Sequence, residues 1–140
     1  MFWDSSALVP YLVRESRSAE LTALLGGDSA AVIWWGSPVE CQAALHRRHR
    51  EKALPREQLS DALRRLSGLL EDLDVIAPKA RVRERAGRLL AAHPLRAADA
   101  FQLAAALLWC DHTPQSESFV CLDERLRSAA LEEGFQLLPP

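Results

Sequence analysis

A chain of 140 residues that is 49% hydrophobic and 26% charged is long enough to fold around a core of its own, and too apolar to be disordered. Its formal charge of -2 gives no overall attraction for a polyanion, so any binding of nucleic acid has to come from a local patch or from a metal. The three cysteines, Cys41, Cys110 and Cys121, are odd in number and lack CxxC spacing, so they read as small apolar residues of a reducing compartment. With neither a signal-peptide pattern at the start nor an apolar run of membrane-spanning length, the expected location is cytoplasmic, without membrane attachment.

Residues 1–3 predict a short buried strand that gives way to Asp4. Residues 5–14 carry Leu8, Leu12 and Val13 at helical spacing, and Pro10 keeps that helix short or bent. Residues 18–25 continue helically until Gly26 and Gly27 stop them. Residues 30–35 are a second strand. Extended there, Trp34 and Trp35 must point to opposite faces, leaving one of them free to anchor a partner, whereas Trp3 and Trp109 are expected in the core. Ser37, Pro38 and Glu40 then fit the N-cap, N1 and N3 positions of a capping box, opening a helix that runs to about Lys52.

Pro55 begins an amphipathic helix bearing Leu59, Leu63, Leu66, Leu69 and Leu70. Val75 and Ile76 suggest a third strand, ended by Pro78. A basic helix over residues 81–91 is broken at His93 and Pro94, and residues 95–110 form a strongly apolar helix. Residues 118–122 are a strand, 123–131 a helix stopped by Gly134, and 135–138 a last strand. Strands alternate with helices throughout, so the expected architecture is a single α/β domain over residues 1–140 with a mainly parallel sheet.

Four carboxylates stand where these elements give way to helices: Asp4, Glu40, Asp99 and Asp123. Residues just past strand ends of an open parallel sheet converge on one crevice, so acids far apart in the chain can meet. Hard oxygen ligands of this kind suit Mg²⁺ or Mn²⁺ beside a phosphate. Each acid also has a local reading. Asp4 and Asp123 fit helix N-caps, Glu40 fits the capping box, and Asp99 suits the positive end of its helix dipole, although its apolar neighbours favour a functional role. An aspartyl-nucleophile phosphatase would place a second Asp two residues after the first, where this chain has Ser6. His46 and His49 lack a third metal ligand, and the basic runs around Arg47 and Arg85 fit either a solvated face or RNA contacts.

Residues 2–10, 37–45, 95–104 and 119–126, taken in order, resemble the PIN-domain family, and within it the VapC-type toxins. The resemblance covers nearly the whole chain. It implies a three-layer α/β/α sandwich and an Mg²⁺- or Mn²⁺-dependent endoribonuclease acting as the toxin of a toxin–antitoxin pair. It also implies a dimer held inactive by a cognate antitoxin. The family's four acids fall in order on Asp4, Glu40, Asp99 and Asp123, with Asp4 and Asp99 as central ligands. The small hydroxyl that accompanies the first acid falls on Ser6, with Ser5 as second choice. Cys121 stands where many relatives carry Thr or Ser. Arg96, three residues before Asp99, is the cation best placed for a phosphate or for an antitoxin residue entering the site. The competing function is a PIN-like module that binds RNA or protein without catalysis, and retention of all four acids argues against it.

Overall fold

A computed structural model describes residues 1–13 and 16–140. Five short strands, β1 (Phe2–Trp3), β2 (Val32–Trp34), β3 (Asp74–Ile76), β4 (Ser118–Val120) and β5 (Gln136–Leu138), form one sheet in the order β3-β2-β1-β4-β5. Every neighbouring pair is parallel. The described residues also form seven α-helices: α1 (Ser5–Leu12), α2 (Ser18–Gly26), α3 (Ser37–Arg50), α4 (Arg56–Leu69), α5 (Ala80–Ala92), α6 (Ala97–Trp109) and α7 (Glu124–Glu132). The predicted end of the first helix, Arg14, lies outside the described residues. The remaining predicted elements occur in order, with boundaries displaced by a residue or two.

Strand alternation divides the core in two. Phe2, Val32, Trp34 and Phe119 face one way, onto α5, α6 and α7. Trp3, Ile33 and Val120 face the other way, onto α1 to α4. The register agrees, pairing Phe2 with both Val32 and Phe119, and Trp3 with both Ile33 and Val120. Helices therefore cover both sheet faces, the arrangement that the crossovers of parallel strands produce. The two residues of β1 are wholly buried although they are separated by a single peptide, because β1 is the central strand. Phe2 stacks on Phe119 with ring centroids 5.5 Å apart, and aromatic pairing of this kind adds about 0.5–1.5 kcal/mol to plain burial.

The tryptophan pair divides as extended geometry requires. Trp34 is buried and stacks on Phe101 of α6, with centroids 5.8 Å apart and planes within 2°, while Trp35 is 58% exposed. Gly36 follows for a steric reason, since a Cβ there would lie 2.6 Å from the Trp34 indole nitrogen. Trp3 lies in the core as expected, and Trp109 is half-buried against Phe2.

β1 hands over to α1 at a single residue. The Asp4 amide donates to the Val120 carbonyl at 2.9 Å, completing the ladder, while the Asp4 carbonyl accepts from Ala7 and opens the helix. The predicted strand over 118–122 is shortened because the Leu122 amide turns to the Ser6 hydroxyl at 2.8 Å. These junctions place Asp4, Cys121 and Asp123 together at the carboxyl edge of the sheet.

Candidate active site

Asp4 is the most enclosed of the four acids, 4% exposed at the N-terminus of α1. Its Oδ2 accepts from the Ser6 amide at 2.9 Å and lies 3.6 Å from the Cys121 thiol. Burial pushes its carboxyl up to about 6, the Ser6 donors oppose that rise, and the nearby Glu40 charge adds to it. One Asp4 oxygen caps the helix, and the Glu40 charge lies close to the same carboxyl.

Glu40 departs from the local expectation. The N-cap of α3 is Gly36, and Ser37 is the first helical residue, so the predicted capping box does not form. The Glu40 Oε2 accepts from the Ser5 hydroxyl at 2.8 Å and from the Gln102 amide nitrogen at 2.9 Å. The same Gln102 nitrogen donates to the Ser37 hydroxyl at 3.0 Å. Ser37 and Gln102 are both buried, so this brace between α3 and α6 is shielded from water. It draws the carboxylate away from its own helix and toward Asp4.

Asp99 and Asp123 form a second couple. Asp99 is half-buried in the first turn of α6, and its Oδ2 accepts from the Arg96 amide at 3.4 Å. Burial raises its pKa and the Arg96 amide opposes the rise. The Asp123 charge raises it further, while Arg125 and then Arg96 pull it down. Asp123 is the exposed N-cap of α7, with Oδ1 accepting from the Arg125 and Leu126 amides at 3.0 Å each. Gln102 lies one turn beyond Asp99 on α6, on the same side of that helix. The contacts therefore run without a break from Asp4 through Ser5 to Glu40, through Gln102 to α6, and along α6 to Asp99 and Asp123.

Among the described residues, no three Asp, Glu, His or Cys side chains converge closely enough to hold an ion as they stand. The acids form two couples, Asp4 with Glu40 and Asp99 with Asp123. The donor chemistry fits a hard cation. Four carboxylates are present, and the two thiols beside Asp4 are kept protonated: burial pushes Cys41 up to about 12 and Cys121 higher, with the Asp4 charge adding to both. Asp4 and Asp99 carry raised pKa values that a bound divalent ion would relieve.

The two serines divide their roles. Ser6 accepts the Leu122 amide and lies 3.6 Å from the Cys121 sulfur, which ties α1 to the end of β4. Ser5 donates to Glu40, while the Ser6 amide and hydroxyl bear on Asp4. Arg96, exposed at the N-cap of α6, acts on Asp99 chiefly through its amide, and its charge acts less than that of Arg125. Gln102 and Arg125 escaped the sequence reading, and Ser37 entered it only as a helix cap. For Gln102 a signal existed, since it is a lone amide in the otherwise apolar run from Ala100 to Ala106. For Arg125 there was none.

A family model described as PIN domain matches residues 1–131. Two Mycobacterium tuberculosis proteins, Ribonuclease VapC45 and Ribonuclease VapC49, are each 32% identical over 139 residues, which is 99% of this chain and 94% of theirs. Among solved structures, the M. tuberculosis VapC20, described as a sarcin–ricin loop cleaving toxin, superposes with a TM-score of 0.70 at 19% identity, over 99% of this chain and 98% of that one. A toxin–antitoxin complex from Klebsiella pneumoniae gives 0.63 at 16% identity, over 87% and 85%. These two structural likenesses bear on the fold.

Proposed function

This chain belongs to the PIN-domain family, and from that premise we propose that it is a VapC-type endoribonuclease, the toxin of a toxin–antitoxin pair, hydrolysing RNA phosphodiester bonds with a carboxylate-bound Mg²⁺ or Mn²⁺. One observation carries the assignment of the site. Glu40 leaves its own helix N-terminus and is held by Ser5 and Gln102 beside Asp4, a placement that a purely structural cap would not need.

Asp4 and Asp99 would be the central ligands, with Glu40 completing the site and Asp123 holding a second ion or orienting water. The ion, when bound, supplies a more acidic water and a counter-charge for the phosphoryl oxygens. The chain's own residues do the positioning. Ser5 and Gln102 fix one face of Glu40, so its orientation is set before substrate arrives. The two amides at the start of α7 fix Asp123. Arg96 and Arg125, both exposed beside the Asp99 couple, offer positive charge to the RNA backbone.

The partners implied are an RNA, a cognate antitoxin and a second copy of the chain, in the cytoplasm. No helix of the described residues is long and apolar enough to cross a membrane.

Removing divalent ions with a chelator is expected to abolish RNA cleavage by the purified protein, and Mn²⁺ to restore it. Cleavage indifferent to chelation would overturn the metal assignment. Gln102→Leu keeps the side-chain volume but removes the donor to Glu40. Loss of such an orienting contact is expected to lower the cleavage rate by about 10–100-fold, read as kcat on a defined RNA. A rate within twofold of the parent would remove the brace from the proposal.

A further inference from the structure

Away from the acids, a cleft of about 190 Å³ opens between α5 and the C-terminal end of α6. Its lining is Arg81, Glu84, Arg85, Arg88, Leu108 and His112. Arg81, Arg85 and Arg88 follow one another at helical spacing along one side of α5, beside the buried row of Val82, Ala86 and Leu89. One Arg85 Nη is paired with Glu133 at 2.7 Å, while the Arg85 Nε is buried and has no hydrogen-bond partner. Arg81 and Arg88 have no ion-pair partner among the described residues, and Glu84 is the one acid in the lining.

We propose that this cleft is a second RNA contact, in which Arg81, Arg85 and Arg88 hold a backbone phosphate at a distance from the cleaved bond. The proposal rests on the ribonuclease reading. Three guanidiniums around one small cavity match the tetrahedral oxygens of a phosphate, which accepts forked donors. Arg85 is held in the cleft wall by its pair with Glu133, so one guanidinium is already oriented there. Contacts to phosphate position a nucleic acid without reading its bases. Leu108 lies about 14 Å along the α6 axis from Asp99, at about 1.5 Å per residue, so the cleft is separate from the acid site although it is built on the same helix. With a net charge of -2 the chain cannot attract RNA as a whole, and a local cluster of this kind is what it needs.

The test is binding of a single-stranded RNA, read by fluorescence anisotropy across a salt series. Every protein carries Asp99→Asn so that the RNA stays intact. Adding Arg81→Gln with Arg88→Gln is expected to weaken binding about tenfold near 0.1 M salt and to make the salt slope shallower by about 0.7, one single-strand phosphate contact. Arg81→Lys with Arg88→Lys, which keeps the charge, restores most of the slope. Thermal unfolding verifies that each variant folds. Unchanged affinity and slope in the Gln pair overturn the proposal. If inorganic phosphate raises the Tm of the Asp99→Asn protein but not of the Gln pair, while RNA affinity is unchanged, the cleft takes a free anion and the RNA assignment falls. Failure of the ribonuclease reading shows separately, as a parent protein with every arginine and Asp99 intact that leaves RNA uncut with Mn²⁺ present.

Discussion

Asp99→Asn is expected to lower RNA cleavage by about 10³-fold or more, equivalent to about 4 kcal/mol of transition-state stabilisation, while the protein stays folded. The substitution is nearly isosteric. An Asn carbonyl can still accept from the Arg96 amide, so the first turn of α6 keeps its tie. What disappears is the charge. Asp99 is half-buried, already strained by burial and by Asp123, and it sits one turn before the Gln102 that holds Glu40. A carboxylate kept in such a place serves structure poorly and a cation well. The measurement is single-turnover cleavage of a defined RNA with Mn²⁺ present, alongside a melting curve. Activity within threefold of the parent, with the fold intact, would remove Asp99 from the catalytic set.

The second large effect has the opposite sign and concerns stability. Asp4→Asn should stabilise the metal-free protein at pH 7 by about 3 kcal/mol, a Tm gain of roughly 8–12 °C for a chain of this size. The Asp4 carboxyl titrates at about 6 in the folded protein against a reference of 3.8. A raised folded value means that the native state prefers the protonated acid. Its stabilising contribution is full below about pH 4 and is lost as pH rises through about 6, so at neutral pH the folded protein bears the whole cost of the buried charge. Asn mimics the neutral acid and still accepts from Ser6. The gain of the variant over the parent should therefore shrink toward zero below pH 4. Mn²⁺ should reverse the order, raising the parent's Tm in proportion to its binding, about 2.7 kcal/mol at a hundredfold excess over Kd, and raising the variant's much less. A variant no more stable than the parent at pH 7 would contradict the burial argument.

The two predictions together describe one trade. A residue that weakens the metal-free fold is one that the proposed reaction would use, a pattern common where charges are gathered for function. The cost is concentrated because Asp4 closes the central strand: its amide belongs to the sheet, its carbonyl to α1, and the residue is only 4% exposed.

Much of this was legible along the chain. Apolar runs ending at Asp4, near Glu40 and at Asp123 marked strand-to-helix junctions, and parallel topology sends such junctions to one edge. The division of Trp34 from Trp35 followed from strand geometry alone. The capping box at Ser37 was the clear misreading. Ser and Glu at that spacing satisfy the local rule, yet the helix begins one residue earlier and both side chains turn to Gln102. The predicted strand over 118–122 ran too long for a related reason, because the Ser6 hydroxyl claims the Leu122 amide.

The order of the acids, their place at helix starts and the parallel α/β architecture were determined by the sequence itself, because each depends on near neighbours: apolar periodicity, prolines and glycines, and the residue types that begin helices. Which carboxylate oxygen meets which partner was decided only by the tertiary structure. A helix cap and a metal ligand use the same side chain at the same position, so local pattern cannot separate them. The deciding groups are Ser5 and Gln102, 35 and 62 residues away from Glu40, and the burial of Asp4 beneath two helical layers. Desolvation and through-space charge act over ångströms of distance, and only the completed fold sets those distances.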